Sequence, residues 1–198
     1  MFIIILYHGT TNDNGQKIEM EGIQLAYSQE YLDFSKGFYT TPNMTFALRT
    51  ANKRLSTSKH FPGLYQNISG IAIVILEYNE ARAQQELRLK HFEKPTNKWA
   101  QFIAANRVRS DDSVWADYDN NRLQQYDIVD GPTADGTVLL NEVLTKIASG
   151  DMQINQVKSK MCMPSQSANW GTQVSFHSSN ALSCIKIKNV LYLDGGEE

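Results

Sequence analysis

An α+β fold is predicted from three observations on the 198 residues. Short runs of β-branched and apolar residues recur near the start, in the middle and towards the end of the chain. Stretches with apolar residues at three- and four-residue steps lie between them. The two kinds of segment follow no regular strand-helix-strand alternation, which a doubly wound parallel sheet would require. Apolar residues make up 41% of the chain and charged residues 20%, enough for one sizeable core, so a single domain over 1–198 is expected.

Residues 2–7 are apolar throughout and predict a strand buried on both faces; "HGTTNDNG" then supplies turn residues and leaves His8 at the strand's end. A short helix is expected over 11–20, stopped by Gly22. "PNMTFALRTANKRL", 42–55, places a proline in a first helical turn and Met44, Ala47, Leu48 and Ala51 on one side, which predicts a helix. "GIAIVILEYN", 70–79, reads as a central strand. Residues 95–108 read as an amphipathic helix carrying Trp99, Phe102, Ile103 and Asn106, with Arg107 satisfying carbonyls at its end. Residues 111–125 are polar and loop-like, and "YDIVDGPTADGT" is a short strand running into a Gly-Pro turn. A helix over 138–148, a strand in "TQVSFHS", a short helix from Asn180 and a strand in "CIKIKNVLYL" complete the order.

The formal net charge is −2, so there is no global basic field of the kind that marks a dedicated nucleic-acid binder. Cys162 and Cys184 lie far apart without ligand spacing, so neither a metal site nor a disulfide framework is expected, and both are read as reduced thiols. The opening apolar run lacks a basic leader and no stretch is long enough to span a bilayer; a cytoplasmic chain that makes no membrane contact is expected.

Three polar-aromatic motifs lie at strand ends: "YHGT" at 7–10, "DFSKGFYTT" at 33–41 and "TQVSFHS" at 172–178. Together they resemble the ADP-ribosyltransferase superfamily, in the branch shared by diphtheria toxin and the poly(ADP-ribose) polymerases. The likeness is nearer to small bacterial, often toxin-like domains that add "DIVxGPxAD", here "DIVDGPTAD" at 127–135. The resemblance spans essentially the whole chain. It implies two small, mainly antiparallel sheets packed as a split β-sandwich with flanking helices, NAD as co-substrate in the cleft, and His8, Tyr39 and Gln173 as the catalytic set. The cofactor-binding residues it implies are His8, Gly9, Thr10, Lys36, Gly37, Phe38 and Tyr39.

The chemistry of NAD matches these residue types. A glycine such as Gly9 can offer backbone N–H and C=O to a carboxamide with no side chain in the way. An aromatic face such as Tyr39 beside a cationic nicotinamide contributes roughly 0.5–2 kcal/mol. His8 is implied to contact the adenosine ribose, and Lys36 to lie near phosphates. Breaking the glycosidic bond passes through an oxocarbenium-like state that favours oriented acceptors at the ribose. Gln173 stands where the best-known relatives carry glutamate: its carbonyl accepts from a hydroxyl but has no full charge and is no general base, which suits single transfer better than chain elongation. Thr50 stands where they carry a second tyrosine and Ala47 where they carry serine, so Phe38 or Trp170 is expected to close the pocket, or nicotinamide to be held more loosely.

Implied, then, is a mono-ADP-ribosyltransferase acting as an intracellular toxin of a toxin–antitoxin or phage-defence system. Its macromolecular acceptor is RNA or DNA in preference to protein, and an antitoxin protein is a partner. The polar loop before Gln173 makes the nucleic acid worth testing, as do the basic residues Lys36, Lys53, Arg54 and Lys59, which suit phosphates of NAD or of a nucleic acid; a solvated helix face accounts equally for the last three. An NAD glycohydrolase and an inert NAD- or ADP-ribose-binding module are the alternatives. Asp130 and Asp135 are outside candidates for acceptor handling, His177 is read as packing or pairing, and His60 and His91 belong to no motif.

Overall fold

A computed structural model describes residues 3–60, 68–107, 118–134 and 171–194, with the single residues 146, 149, 151, 153 and 156. The expected helix over 138–148, Trp170, Asp135 and Cys162 lie outside the described residues, apart from Lys146 within that helix.

Seven strands and five α-helices occur among the described residues: β1 (Ile3–Thr11), α1 (Asn12–Glu21), β2 (Phe38–Thr40), α2 (Met44–Lys59), β3 (Gly70–Asn79), α3 (Glu80–Glu86), β4 (Leu89–His91), α4 (Asn97–Arg107), β5 (Ile128–Pro132), β6 (Thr172–Phe176), α5 (Ser179–Leu182) and β7 (Ile185–Asp194). This is an α+β fold. One sheet is antiparallel in the order β1-β3-β7. The other runs β2-β6-β5-β4, antiparallel except for the parallel pair β4 and β5.

The sheets pack face to face. Leu6, Val74 and Leu76 from the first sheet and Phe38, Ile128 and Phe176 from the second form one apolar cluster. On the outer side of the first sheet α2 buries Ala47, Ala51 and Leu55 against Ile71 and Ile73. On the outer side of the second, α4 buries Trp99, Phe102 and Ile103 with Phe34, Phe92 and Val129. Burying one such large side chain contributes about 1.5–3 kcal/mol, so the three clusters set the order helix, sheet, sheet, helix. No helix among the described residues is long and apolar enough to cross a membrane.

Several expectations need correction. The first strand does not stop at Tyr7: β1 continues through His8, Gly9, Thr10 and Thr11, because β3 offers an unbroken ladder from Asn79 to Ile71. Its first half is only partly covered rather than buried on both faces. Pro42 precedes α2 instead of entering it; Asn43 is the cap, its side-chain oxygen accepting from the Phe46 N–H at 3.1 Å. Met44 is exposed, and the inward face is Ala47, Ala51 and Leu55. Gly131 and Pro132 belong to β5, not to a turn, and pair with Gln173 and Thr172. A Cβ at position 131 would meet the Cβ of Phe92 at 2.8 Å, which is why glycine sits inside this strand. The short elements α3 and β4 were not expected.

Candidate functional site

Both sheets meet where β1 passes β2. Tyr7 and Thr41 exchange backbone hydrogen bonds of 2.8 and 2.9 Å, the only backbone–backbone bonds between these two segments among the described residues. In an antiparallel register fixed by that pair, two residues on along β1 and two back along β2 bring Gly9 opposite Tyr39. The strands do not pair there. Tyr7 turns its backbone groups towards Thr41, and by strand alternation Gly9 turns its N–H and C=O the same way, into the notch between the sheets, where no described residue binds them. On its other side Gly9 lies under α2: a Cβ would sit 1.9 Å from the carbonyl oxygen of Ala47.

His8 bridges the notch. Its Nδ1–H donates to the Tyr39 carbonyl at 2.6 Å, and its ring stacks on Phe38 with centroids 4.5 Å apart. That bond fixes the tautomer and leaves Nε2 as an acceptor. Burial, and then the nearby Arg54 guanidinium, push the imidazole pKa down to about 3, so the ring is neutral at physiological pH.

The Tyr39 hydroxyl donates to the Ser35 carbonyl at 2.6 Å and accepts from the Phe34 N–H at 2.9 Å. Its ring lies 6.4 Å from Phe34 and meets His177 edge-on at 6.4 Å. Burial, and then the Asp33 charge, raise the phenol pKa well above its ordinary value, so Tyr39 works as a neutral, half-buried aromatic surface. The turn that grips it is tight: Ser35 adopts φ 73°, and its N–H donates to the Leu32 carbonyl at 3.0 Å.

Gln173 lies on β6, on the face it shares with Ser175, the cross-strand partner of Tyr39. Its side-chain amide donates to Asp33 Oδ2 at 2.8 Å. Asp33 is 4% exposed and closes a polar knot. Its Oδ1 accepts from Arg107 Nε at 2.6 Å and pairs with Nη2 as well. Its Oδ2 also accepts from the Ala134 N–H at 3.1 Å. Arg107 therefore anchors the opening residue of "DFSKGFYTT" and does not cap its own helix, a correction to the sequence reading. Neither residue was singled out as functional. They stand 74 positions apart, and the only trace in the sequence is an aspartate directly before an aromatic-rich turn.

The remaining expectations divide. Phe38 faces inward beneath His8 and packs in the core, so it cannot close a pocket. Gly37 answers to packing: a Cβ would meet His177 Nδ1 at 2.6 Å, and its N–H and C=O are both held by the Ser28 hydroxyl. Thr10 is buried with Arg54 donating to its hydroxyl at 3.3 Å. Lys36 is half-buried, its carbonyl accepting from His177 Nδ1 at 2.7 Å. Thr50 turns its hydroxyl back onto the Phe46 carbonyl at 3.0 Å. Phe46, one helical turn earlier, packs against Gly171, where a Cβ would meet its ring at 2.8 Å. It is the one aromatic residue of α2. Asp130 pairs with His91 at 2.5 Å, on the opposite face of β5 from Val129 and Gly131.

His177 is fully buried, with Nδ1 committed to Lys36 and Nε2 2.8 Å from the Ser175 hydroxyl; burial lowers its pKa to about 4. With His8 this sets a pH dependence. In the unfolded chain both imidazoles gain a proton near their ordinary value of 6.5, whereas the folded protein resists until about 4 and about 3. The unfolded state therefore binds more protons across that window. Stability is fully present above pH 6.5 and falls as pH drops, by at most about 1.4 kcal/mol per pH unit for each histidine. Urea midpoints at pH 7, 5.5 and 4.5 test this: a His8→Gln, His177→Gln double variant is expected to flatten the slope, and an unchanged slope would place the titration elsewhere.

No curated protein matches the chain. A family model described as a protein of unknown function, DUF3990, matches residues 4–187. That span holds β1, β2 and β6 with the notch between them, and the chain therefore belongs to the DUF3990 family.

Proposed function

We propose that this protein binds NAD in the notch between β1 and β2 and transfers its ADP-ribose to a macromolecule, releasing nicotinamide. The observation that carries the reading is the convergence of three motifs distant in sequence. His8 donates to Tyr39, Tyr39 is the cross-strand partner of Ser175, and Gln173 lies on the same face two residues away. The Gly9 backbone, facing Tyr39 with no partner among the described residues, suits a carboxamide that both donates and accepts. His8 Nε2 and Gln173 Oε1 suit ribose hydroxyls.

In the transfer, the bond from ribose C1′ to the nicotinamide nitrogen breaks with its electron pair passing to nicotinamide. A lone pair of the acceptor forms the new bond to C1′, and the acceptor's proton goes to solvent. Tyr39 offers its face to the ring, while Gln173 holds a hydroxyl without taking a proton. The acceptor class we favour is RNA or DNA, and the setting a bacterial toxin with an antitoxin partner; both rest on the motif resemblance.

The test is adenylate-labelled NAD incubated with the purified protein and a cell lysate, followed by nuclease or protease. Label on a macromolecule that nuclease removes is expected; label that only protease removes would move the acceptor to protein. Free ADP-ribose with no macromolecular label would make the protein a glycohydrolase, and saturable NAD binding without turnover an inert module. Tyr39→Ala should lower nicotinamide release about 2- to 30-fold, the equivalent of a cation–π contact of roughly 0.5–2 kcal/mol, with Tyr39→Phe close to wild type. Equal rates for both variants would remove Tyr39 from the site.

A further inference from the structure

We infer that Asp33 is a positioning residue that fixes Gln173 as a hydrogen-bond acceptor towards the notch, an inference that rests on the reading of the notch as an NAD site. A primary amide has a donor end and an acceptor end, and nothing in its shape decides between them. Asp33 decides. A carboxylate only accepts, so the NH2 group of Gln173 must face Oδ2, at 2.8 Å, and the planar amide then turns Oε1 the other way. That oxygen accepts from no described residue.

Asp33 is itself held still. Arg107 occupies Oδ1, the Ala134 N–H shares Oδ2, and its main-chain carbonyl accepts from Asn106 Nδ2 at 3.2 Å. The same pair accounts for the residue type at 173. A glutamate there would bring two carboxylates to hydrogen-bond distance inside a buried site, and one of them would have to take up a proton. Asp33 therefore permits glutamine and opposes glutamate. His8 follows the same rule by another route, its Nδ1–H tied to the Tyr39 carbonyl and Nε2 left to accept. Both side chains thus come to the ligand as preset, uncharged acceptors, and the groups they recognise are hydroxyl donors.

Asp33→Asn tests this with almost no change of shape. An amide at position 33 keeps its oxygen on Arg107 and turns its NH2 towards Gln173, whose own amide must flip and present a donor to the notch; the same NH2 gives up the bond from the Ala134 N–H, a loss common to the single and double variants that cancels between them. NAD affinity and nicotinamide release are expected to fall at least tenfold in a variant that still unfolds cooperatively. Gln173→Glu alone should lose as much. The double variant Asp33→Asn, Gln173→Glu restores a donor facing an acceptor and leaves an acceptor towards the ligand, so it should recover most of the loss, which a merely structural role would not produce. A double variant no better than the worse single variant overturns the inference. Independently of NAD, the side-chain amide of Gln173 in the ligand-free wild type should show one NH proton protected from exchange and shifted downfield; two unprotected protons would also overturn it. Should wild type neither bind nor cleave NAD, the reading of the notch fails, and the amide resonance still decides whether Asp33 sets the orientation.

Discussion

Gly9→Ala should destabilise the protein by about 3 kcal/mol, the upper end of what overpacking costs, and lower its thermal midpoint by roughly 6–12 °C. The added Cβ would stand 1.9 Å from the carbonyl oxygen of Ala47 and 2.7 Å from its carbonyl carbon. Neither atom belongs to a side chain that can rotate away, so either α2 lifts from β1 or β1 leaves its ladder with β3. The carbonyl origin of the clash has a second consequence: Ala47→Gly should not rescue the variant, whereas it would if side-chain bulk were the obstacle. Differential scanning calorimetry on the three proteins checks both statements. A midpoint within 1–2 °C of wild type for Gly9→Ala, the range expected of an uncrowded surface change, would mean that α2 does not press on β1.

The second large effect is at Arg107. Removing one partner of a buried ion pair costs about 3–5 kcal/mol, because the other charge stays behind without compensation. Arg107→Ala leaves the Asp33 carboxylate with the Gln173 side-chain amide and the Ala134 backbone N–H as its remaining hydrogen-bond partners. The guanidinium side chain is 19% exposed, so water relieves part of the loss and the lower end, about 3 kcal/mol, is expected in urea titrations. Arg107→Lys should recover only part of it, since an ammonium is a point charge and cannot match the side-on contact through Nε and Nη2. Arg107→Ala and Asp33→Ala should also be strongly non-additive, the double variant losing clearly less than the two separate costs combined. Additive costs would dissolve the pair as an energetic unit.

How much of this the sequence disclosed depends on whether a feature is local. The strand over 70–79 was legible in full because the unbroken apolar, β-branched-rich run from Ile71 to Leu76 needs no partner to be recognised. The extension of β1 through Gly9 and Thr11 was not, because "HGTT" has the composition of a turn and becomes strand only through pairing with residues 71–74. The three residues of β4 carry no readable period and exist through their parallel contact with β5.

The candidate site shows the same division. His8, Tyr39 and Gln173 were nameable from motifs, and the structure brings them to one junction. Phe38 was assigned to the ligand because it sits in the same motif as Tyr39; the alternation of a strand sends neighbouring side chains to opposite faces, and Phe38 goes to the core. Asp33 and Arg107 could not be paired from the sequence, because nothing in either segment marks the other as its counterion.

The position of β6 carries one more consequence. It lies between β2 and β5, so the four-stranded sheet has no continuity until residues 172–176 are in place. The strand that unites that sheet is also the one that carries Gln173. During synthesis His8 and Tyr39 leave the ribosome early, yet the surface they share with Gln173 forms only after nearly all of the described chain has emerged. The order of the strands thus acts as a timer: a nascent chain cannot assemble this site before residues 172–176 have emerged.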